Sequence, residues 1–106
     1  MSVFARRLKE ARKAAGLSQE RLGILAGIDP MSASARMNQY EKGKHEPNIV
    51  VVRQIADALD LPEAFFYASD DGMAVLLQLF HRLSPETRSE VLELAMKLSG
   101  QPSSGQ

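Results

Sequence analysis

The sequence contains no cysteine and no tryptophan, and aromatic residues make up only 6% of the chain. The lack of cysteine excludes disulfides and thiolate metal sites, which is typical of proteins in the reducing cytoplasm. The scarcity of aromatic rings argues against a stacking platform for single-stranded nucleic acid. The longest apolar run, Met73 to Leu77, has five residues and is too short to span a membrane. The segment from Met1 to Arg7 runs into charge without the apolar core of a signal peptide, so we expect a cytoplasmic protein with no membrane partner.

Net charge is also absent, because 13 Lys and Arg residues balance 13 Asp and Glu residues. The distribution is uneven: residues 1–56 carry ten basic against five acidic residues, a net +5, and residues 57–106 carry three against eight, a net −5. A basic front half is typical of a small DNA-binding protein with a separate interaction segment. A solvated helical surface with accidental asymmetry would give the same counts.

The chain shows no cluster of residues that would support catalysis or metal binding. Its two histidines, His45 and His81, have no acid, nucleophile or further metal ligand grouped with them in the sequence. We therefore predict a protein that is not an enzyme and that has no cofactor and no metal.

Apolar residues at intervals of three and four predict an all-α chain. The first helix runs from about Ser2 to Ala15, and the second follows Ser18 as N-cap with Leu22 and Leu25 facing inward. The third helix ends at Gly43, but its start is open. It begins near Pro30, or residues 28–32 form a long turn and it begins near Ser32 or Ala33. A fourth helix follows Asn48 and a short fifth follows Pro62; the residues expected to face inward are Ile49, Val52, Ile55, Ala56 and Leu59 in the fourth and Ala64, Phe65 and Phe66 in the fifth.

An acidic hinge at residues 69–72 separates these helices from a C-terminal arm. The predicted units are residues 1–69, a two-helix arm at 73–98 and a disordered tail at 99–106. The arm either folds back on the first unit or pairs with a second chain, and we favour pairing because its apolar stripes need a cover. The residues predicted to form the dimer interface are Leu76, Leu79, Phe80, Leu83, Val91, Leu94 and Leu98.

A series of short motifs between residues 3 and 67 has a characteristic order and spacing. It comprises Arg12, Gly16-Leu17-Ser18-Gln19, Leu22-Gly23, Ala26-Gly27-Ile28, Met37, Tyr40-Glu41-Lys42-Gly43-Lys44, Pro47 and Ile55-Ala56-Asp57-Ala58-Leu59. This region resembles the Cro/C1-type, XRE-like helix-turn-helix regulators of bacteria and phages. The resemblance implies a five-helix, lambda-repressor-like DNA-binding domain that reads the major groove with its third helix.

The resemblance also assigns roles to individual residues. It implies base contacts from the outer face of the third helix, at Ser34, Ala35, Arg36, Asn38 and Gln39. Gln pairs well with adenine and Arg with guanine, whereas Ser and Ala can meet a thymine methyl group. It implies phosphate contacts from Ser18, Gln19, Lys42, the Gly43 amide and Lys44. Arg12 and Glu41 match a buried structural ion pair.

One departure from the family pattern affects the base contacts. The interval from Gly27 to Glu41 is about four residues longer than usual. The extra residues either lengthen the turn or add one turn to the third helix, which leaves the contacts of Ser34 and Arg36 open. The interval does not affect Gln19 or Lys42.

The function predicted from these features is a sequence-specific regulator of double-stranded DNA, most simply a repressor. Its partners would be an operator with an inverted repeat and a second copy of the chain. A second hypothesis is an antitoxin that binds its own operator while another surface masks a toxin protein. A third is a helical interaction module that has lost DNA binding, which the phosphate-binding positions argue against.

Overall fold

The computed structural model describes residues 2–101, and that part of the chain is helical with no strand. This confirms the predicted all-α class. The elements are α1 Val3–Ala14, α2 Gln19–Leu25, α3 Pro30–Glu41, α4 Ile49–Leu59, a 3-10 helix Glu63–Tyr67, α5 Asp71–His81 and α6 Pro85–Ser99. The fifth predicted helix is thus a 3-10 helix, and α6 includes Ser99, the first residue assigned to the tail. Gly100 and Gln101 follow it as the end of the helix, with the Gln101 amide donating to the Met96 carbonyl oxygen at 2.8 Å. The rest of the predicted tail, residues 102–106, lies outside the described residues. In residues 2–101 no helix is long and apolar enough to cross a membrane.

Side-chain caps determine where the helices begin. The side chains of Ser18, Asn48 and Ser84 each accept a hydrogen bond from the backbone amide three residues later. These bonds satisfy amides that have no partner within the helix, which is why short polar residues predict the starts well. At α3 the cap is Asp29, and Pro30 is the first helical residue. The extra residues before Glu41 therefore form an additional first turn of α3, which answers the question that the sequence left open.

Helices α1 to α4 and the 3-10 helix, residues 3–67, pack around one aliphatic core and are called the N-terminal bundle below. The largest fully buried side chains in it are Phe66, Leu8, Leu22, Met37, Ile55 and Val52. Three inward-facing predictions were wrong. Leu25 and Ile49 are 47% and 57% exposed, and Ala64 is exposed as well. Each lies at the edge of an apolar stripe, where no neighbouring helix covers it.

The closest helix crossing in the bundle lies between α2 and α3, at Gly23 and Ala33. A Cβ atom built on Gly23 would lie 2.8 Å from the Ala33 Cβ, a distance that real Cβ atoms do not reach. Glycine is therefore needed for the two helices to pack at this distance, although it weakens α2 by up to about 1 kcal/mol relative to alanine. The crossing therefore places α3 directly against α2.

The two C-terminal helices differ in how they contact the bundle. Ala74 of α5 is 2% exposed and completes the core, whereas no residue of α6 is buried. Arg88 fixes the corner between the two helices: its guanidinium lies 5.3 Å from the centre of the Phe80 ring and donates to the Phe80 and His81 carbonyl oxygens. The molecule is elongated as a result, with extents of 52 × 26 × 23 Å.

Candidate nucleic-acid interface

Helix α3 has one buried and one exposed side. Its buried residues are Ala33, Met37, Tyr40 and Glu41. Residues three, four and seven positions apart lie on one face of a helix, so the opposite face presents the exposed Met31, Ala35 and Lys42 and the half-buried Asn38. At about 1.5 Å per residue this twelve-residue helix is about 18 Å long, which is long enough to follow several base pairs in a major groove.

The remaining predicted base contacts, Ser34, Arg36 and Gln39, lie on the flanks of this exposed face. Ser34 and Gln39 are both exposed, on opposite edges of the helix. The Arg36 side chain is half-buried and turns along the helix, where its Nη2 donates to the Tyr40 hydroxyl at 2.8 Å. In this position Arg36 is directed away from Ala35 and Asn38. The five predicted residues therefore do not form a single surface: Ala35, Asn38 and Gln39 lie together, Ser34 borders them, and Arg36 is apart.

Gln19, in the first turn of α2, connects that helix to α3. Its Nε2 donates to Asn38 Oδ1 at 3.2 Å and to Glu41 Oε1 at 3.1 Å. Both amide hydrogens are thus used within the protein, and the remaining side-chain atom, Oε1, can only accept, so in this arrangement a phosphate would be bound by the free backbone amides of the first turn. Ser18 caps the same turn by accepting from the Arg21 amide at 3.0 Å. The structure places both predicted phosphate contacts beside the exposed face of α3.

Arg12 and Glu41 form a nearly buried ion pair, with side chains 13% and 4% exposed. Arg12 Nε and Nη2 donate to the two carboxylate oxygens of Glu41, and Nη1 donates to the Leu17 carbonyl oxygen at 2.8 Å. The hydrogen bonds to Glu41 raise the pKa of Arg12 above its ordinary value, despite the opposing effect of burial. The pair therefore ties the end of α1 to the end of α3 and directs the oxygen that Gln19 contacts.

At the end of α3, Lys42, Gly43 and Lys44 are all exposed. Gly43 has a φ of +72°, which glycine adopts without strain and which ends the helix. Its amide donates to the Tyr40 carbonyl oxygen at 3.2 Å, and the Lys44 amide donates to the Gln39 backbone carbonyl oxygen at 3.0 Å. The Gly43 amide is engaged in ending the helix, so the phosphate contact predicted for it is not available in this structure. The two lysine side chains remain exposed beside the face of α3.

The sequence interpretation missed Met31, the most exposed large apolar residue of the described chain at 94%. It lies in the additional first turn of α3, on the same face as Ala35 and Asn38. The signal was present in Asp29-Pro30, because a cap followed by proline at the first helical position starts the helix before Met31. An apolar side chain at the exposed end of this helix is suited to contact a thymine methyl group.

Two short helices held at a close crossing, with the second exposing a polar face flanked by lysines, define the helix-turn-helix class. Comparison of the chain with known proteins supports the same class. The family model described as "Helix-turn-helix domain" matches residues 3–64, and the chain belongs to this family. The chain is similar to the crystal structure of transcriptional regulator BswR. The TM-score is 0.82, and the two sequences are 42% identical over 96% of this chain and 100% of that chain. The shared fold therefore includes α5 and α6. No curated protein matches the chain.

Proposed function

We propose that the protein is a sequence-specific DNA-binding transcriptional regulator of the Cro/C1 type, and that it acts as a repressor. The observation that carries this proposal is the exposed face of α3, which is fixed in place by the Gly23–Ala33 crossing and by the bonds from Gln19. The similarity to a transcriptional regulator that extends over almost the whole chain supports it. The direct test is selection of bound sites from random duplex DNA, because a regulator enriches one motif and an interaction module enriches none.

In this proposal α3 lies in the major groove, with Ala35, Asn38 and Gln39 at the base edges. The first turn of α2 and the side chains of Lys42 and Lys44 would contact the phosphates on either side. A bound regulator represses by occupying promoter DNA. Expression from a reporter that carries the selected site should therefore rise when a variant loses DNA binding.

Lys44→Ala should weaken binding to every duplex by the same factor. The lysine would face the backbone and not a base, so one phosphate contact is lost and the log–log slope of affinity against salt becomes shallower by about 0.9. Titrations of the selected site and a scrambled site at several salt concentrations measure this. Lys97→Ala removes the same charge from exposed α6 and is the matched control. A similar slope change in the control would mean that the effect is one of net charge only.

Gln39→Ala and Met31→Ala should each change preference at one base position, at different ends of the selected site. A lost bidentate contact from Gln39 costs about 1–3 kcal/mol at its base, and Met31→Ala should reduce only the preference for thymine. Repeating the site selection with each variant gives the result. If the motif is unchanged in both, α3 does not read the bases in this register.

We also propose that the protein is a homodimer whose α5–α6 segments pair and that its operator is an inverted repeat. Of the seven predicted interface residues, Leu76, Leu79, Leu94 and Leu98 are between 56% and 79% exposed. Phe80, Leu83 and Val91 are partly buried. A two-fold pair would cover the exposed leucines and place two recognition helices about one DNA turn, about 34 Å, apart.

A further inference from the structure

Helix α5 is attached to the N-terminal bundle at its two ends. At its start, Arg7 of α1 is buried and donates to Asp71 Oδ1 at 2.9 Å and to the Ala68 carbonyl oxygen at 2.8 Å. At its end, Arg82 donates to the Leu59 and Asp60 carbonyl oxygens at 3.1 and 3.0 Å. The first contact is strong enough to hold the pKa of Asp71 below its ordinary value, through the hydrogen bond and charge of Arg7. These two arginine contacts fix the spacing between α5 and the bundle.

Between the two contacts the helices do not fill the space. A cavity of about 550 Å³ lies there, within the range of about 300–1,000 Å³ that holds small ligands. On α1 the cavity is lined by Ala11 and Ala14 beside Arg7 and Glu10, and the two alanine side chains are too short to reach Val75 and Gln78 on α5. The apolar residues that line the cavity are Ala11, Ala14, Ala15, Leu59, Leu61, Phe65, Ala74 and Val75.

The two ends of the cavity differ in the polar groups that they offer. At one end, Glu10 and Asp71 are already paired with Arg7. At the other end, Gln78 has no hydrogen bond to any residue in the range 2–101. Arg82 Nε lies 3.4 Å from Asp60 Oδ2, but Arg82 Nη1 donates to no residue in that range. A ligand would therefore place an anionic oxygen near Arg82 and Gln78 and its apolar part against Phe65.

We infer that this cavity binds a small carboxylate with a short aliphatic or aromatic body, and that its occupancy regulates DNA binding. The regulatory part depends on the proposed function. A ligand bound between α1 and α5 would stabilise one position of α5, and in a dimer joined through α5 and α6 that position determines the distance between the two recognition helices. A change in that distance alters the affinity for the operator while each half-site is still recognised.

Binding is tested with 4-phenylbutyrate on the full-length protein by NMR, without DNA. We expect saturable shifts confined to the amides of residues 7–15, 59–65 and 71–82. The neutral probe 4-phenylbutanol should bind about tenfold more weakly, because it lacks the charge-assisted bond to Arg82. Absent or non-saturable shifts, or equal binding of the two probes, would overturn the assignment.

Two variants separate the cavity from other apolar surfaces. Ala14→Leu fills the space from an exposed position in α1 and should abolish binding, whereas Gln78→Ala should weaken it without disturbing the arginine contacts of α5. Circular dichroism and the affinity for a single half-site should stay unchanged in both variants. Retained binding by Ala14→Leu would contradict the site. Loss of the dimer in Ala14→Leu would also contradict it, because the cavity would then belong to the contact with a second copy.

Regulation is tested by titrating the selected operator with and without saturating 4-phenylbutyrate. We expect the affinity for the two-part operator to change at least about threefold, and the affinity for a half-site to stay constant. Saturable binding of the probe with no change at the operator would overturn the regulatory role and keep the cavity as a ligand site. Failure to select any DNA motif would overturn the proposed function and would leave the NMR result unaffected.

Discussion

Replacing Glu41 with alanine is expected to lower the free energy of unfolding by about 3 kcal/mol and the melting temperature by more than about 10 °C. The change leaves the Arg12 guanidinium, which is 13% exposed, without its carboxylate partner. The cost lies at the lower end of the range for broken buried pairs, because Arg12 keeps its bond to the Leu17 carbonyl oxygen. Thermal melting followed by circular dichroism measures the effect.

A double variant provides the control for this prediction. Arg12→Met combined with Glu41→Met removes both charges and replaces them with apolar side chains of comparable length. Most of the stability should return, since isolated burial of one charge is what destabilises the single variant. DNA binding should recover less, because Gln19 would have lost the Glu41 oxygen that holds it. If the single variant melted normally but failed to bind DNA, Glu41 would be a contact residue and not part of a structural pair.

The helix starts could be predicted from the sequence because they depend on local chemistry. A serine or asparagine cap needs only the amide three residues later, as at Ser18, Asn48 and Ser84. The same holds for Gly43, whose positive φ follows from the need to end a helix within a short segment. Interactions between residues a few positions apart can therefore be predicted without knowledge of the tertiary structure.

The inward-facing predictions failed where the answer depended on a distant segment. Leu25 and Ile49 have the correct helical spacing for burial, but burial also requires a second helix to lie over them. The burial of Ala74 and the presence of the cavity also depend on a distant segment and could not be predicted from local spacing. No pattern in the sequence indicates that α5 lies on the bundle, because Arg7 contacts Asp71 across an interval of 64 residues.

The candidate nucleic-acid interface could be predicted only in part. The family pattern identified the position of α3, and its faces follow from a period of 3.6 residues. The pattern could not show that Arg36 turns to Tyr40, because this is a choice among several possible partners for one polar group. The engagement of the Gly43 amide, by contrast, follows from the local helix end at Gly43. Met31 was missed because the extra turn has no counterpart in the family pattern.

The largest effect on DNA binding is expected from removal of α6. The full-length protein should be a dimer, and a chain that ends at Leu83 should be a folded monomer that binds the two-part operator at least about 100-fold more weakly. The cut follows Leu83 and not Ser69, because residues 70–83 supply Ala74 to the core and Asp71 to the Arg7 contact. Affinity for a single half-site should be unchanged, since all of the residues that we propose to contact DNA lie in the N-terminal bundle.

The double variant Leu94→Glu and Leu98→Glu should have the same effect in the full-length chain. These two side chains are 56% and 79% exposed, so charge there disturbs no intramolecular packing but opposes a second apolar surface. Glu90→Lys, an exposed change on the same helix, is the matched control and should leave the dimer intact. Light scattering and operator titration are carried out on four proteins: the full-length chain, the chain that ends at Leu83, the double variant and the Glu90→Lys control. Together they show whether α6 forms the dimer. A full-length protein that is monomeric at micromolar concentration would exclude α6 as a dimerisation element, and the selected operator should then lack two-fold symmetry because each bundle would bind its site alone.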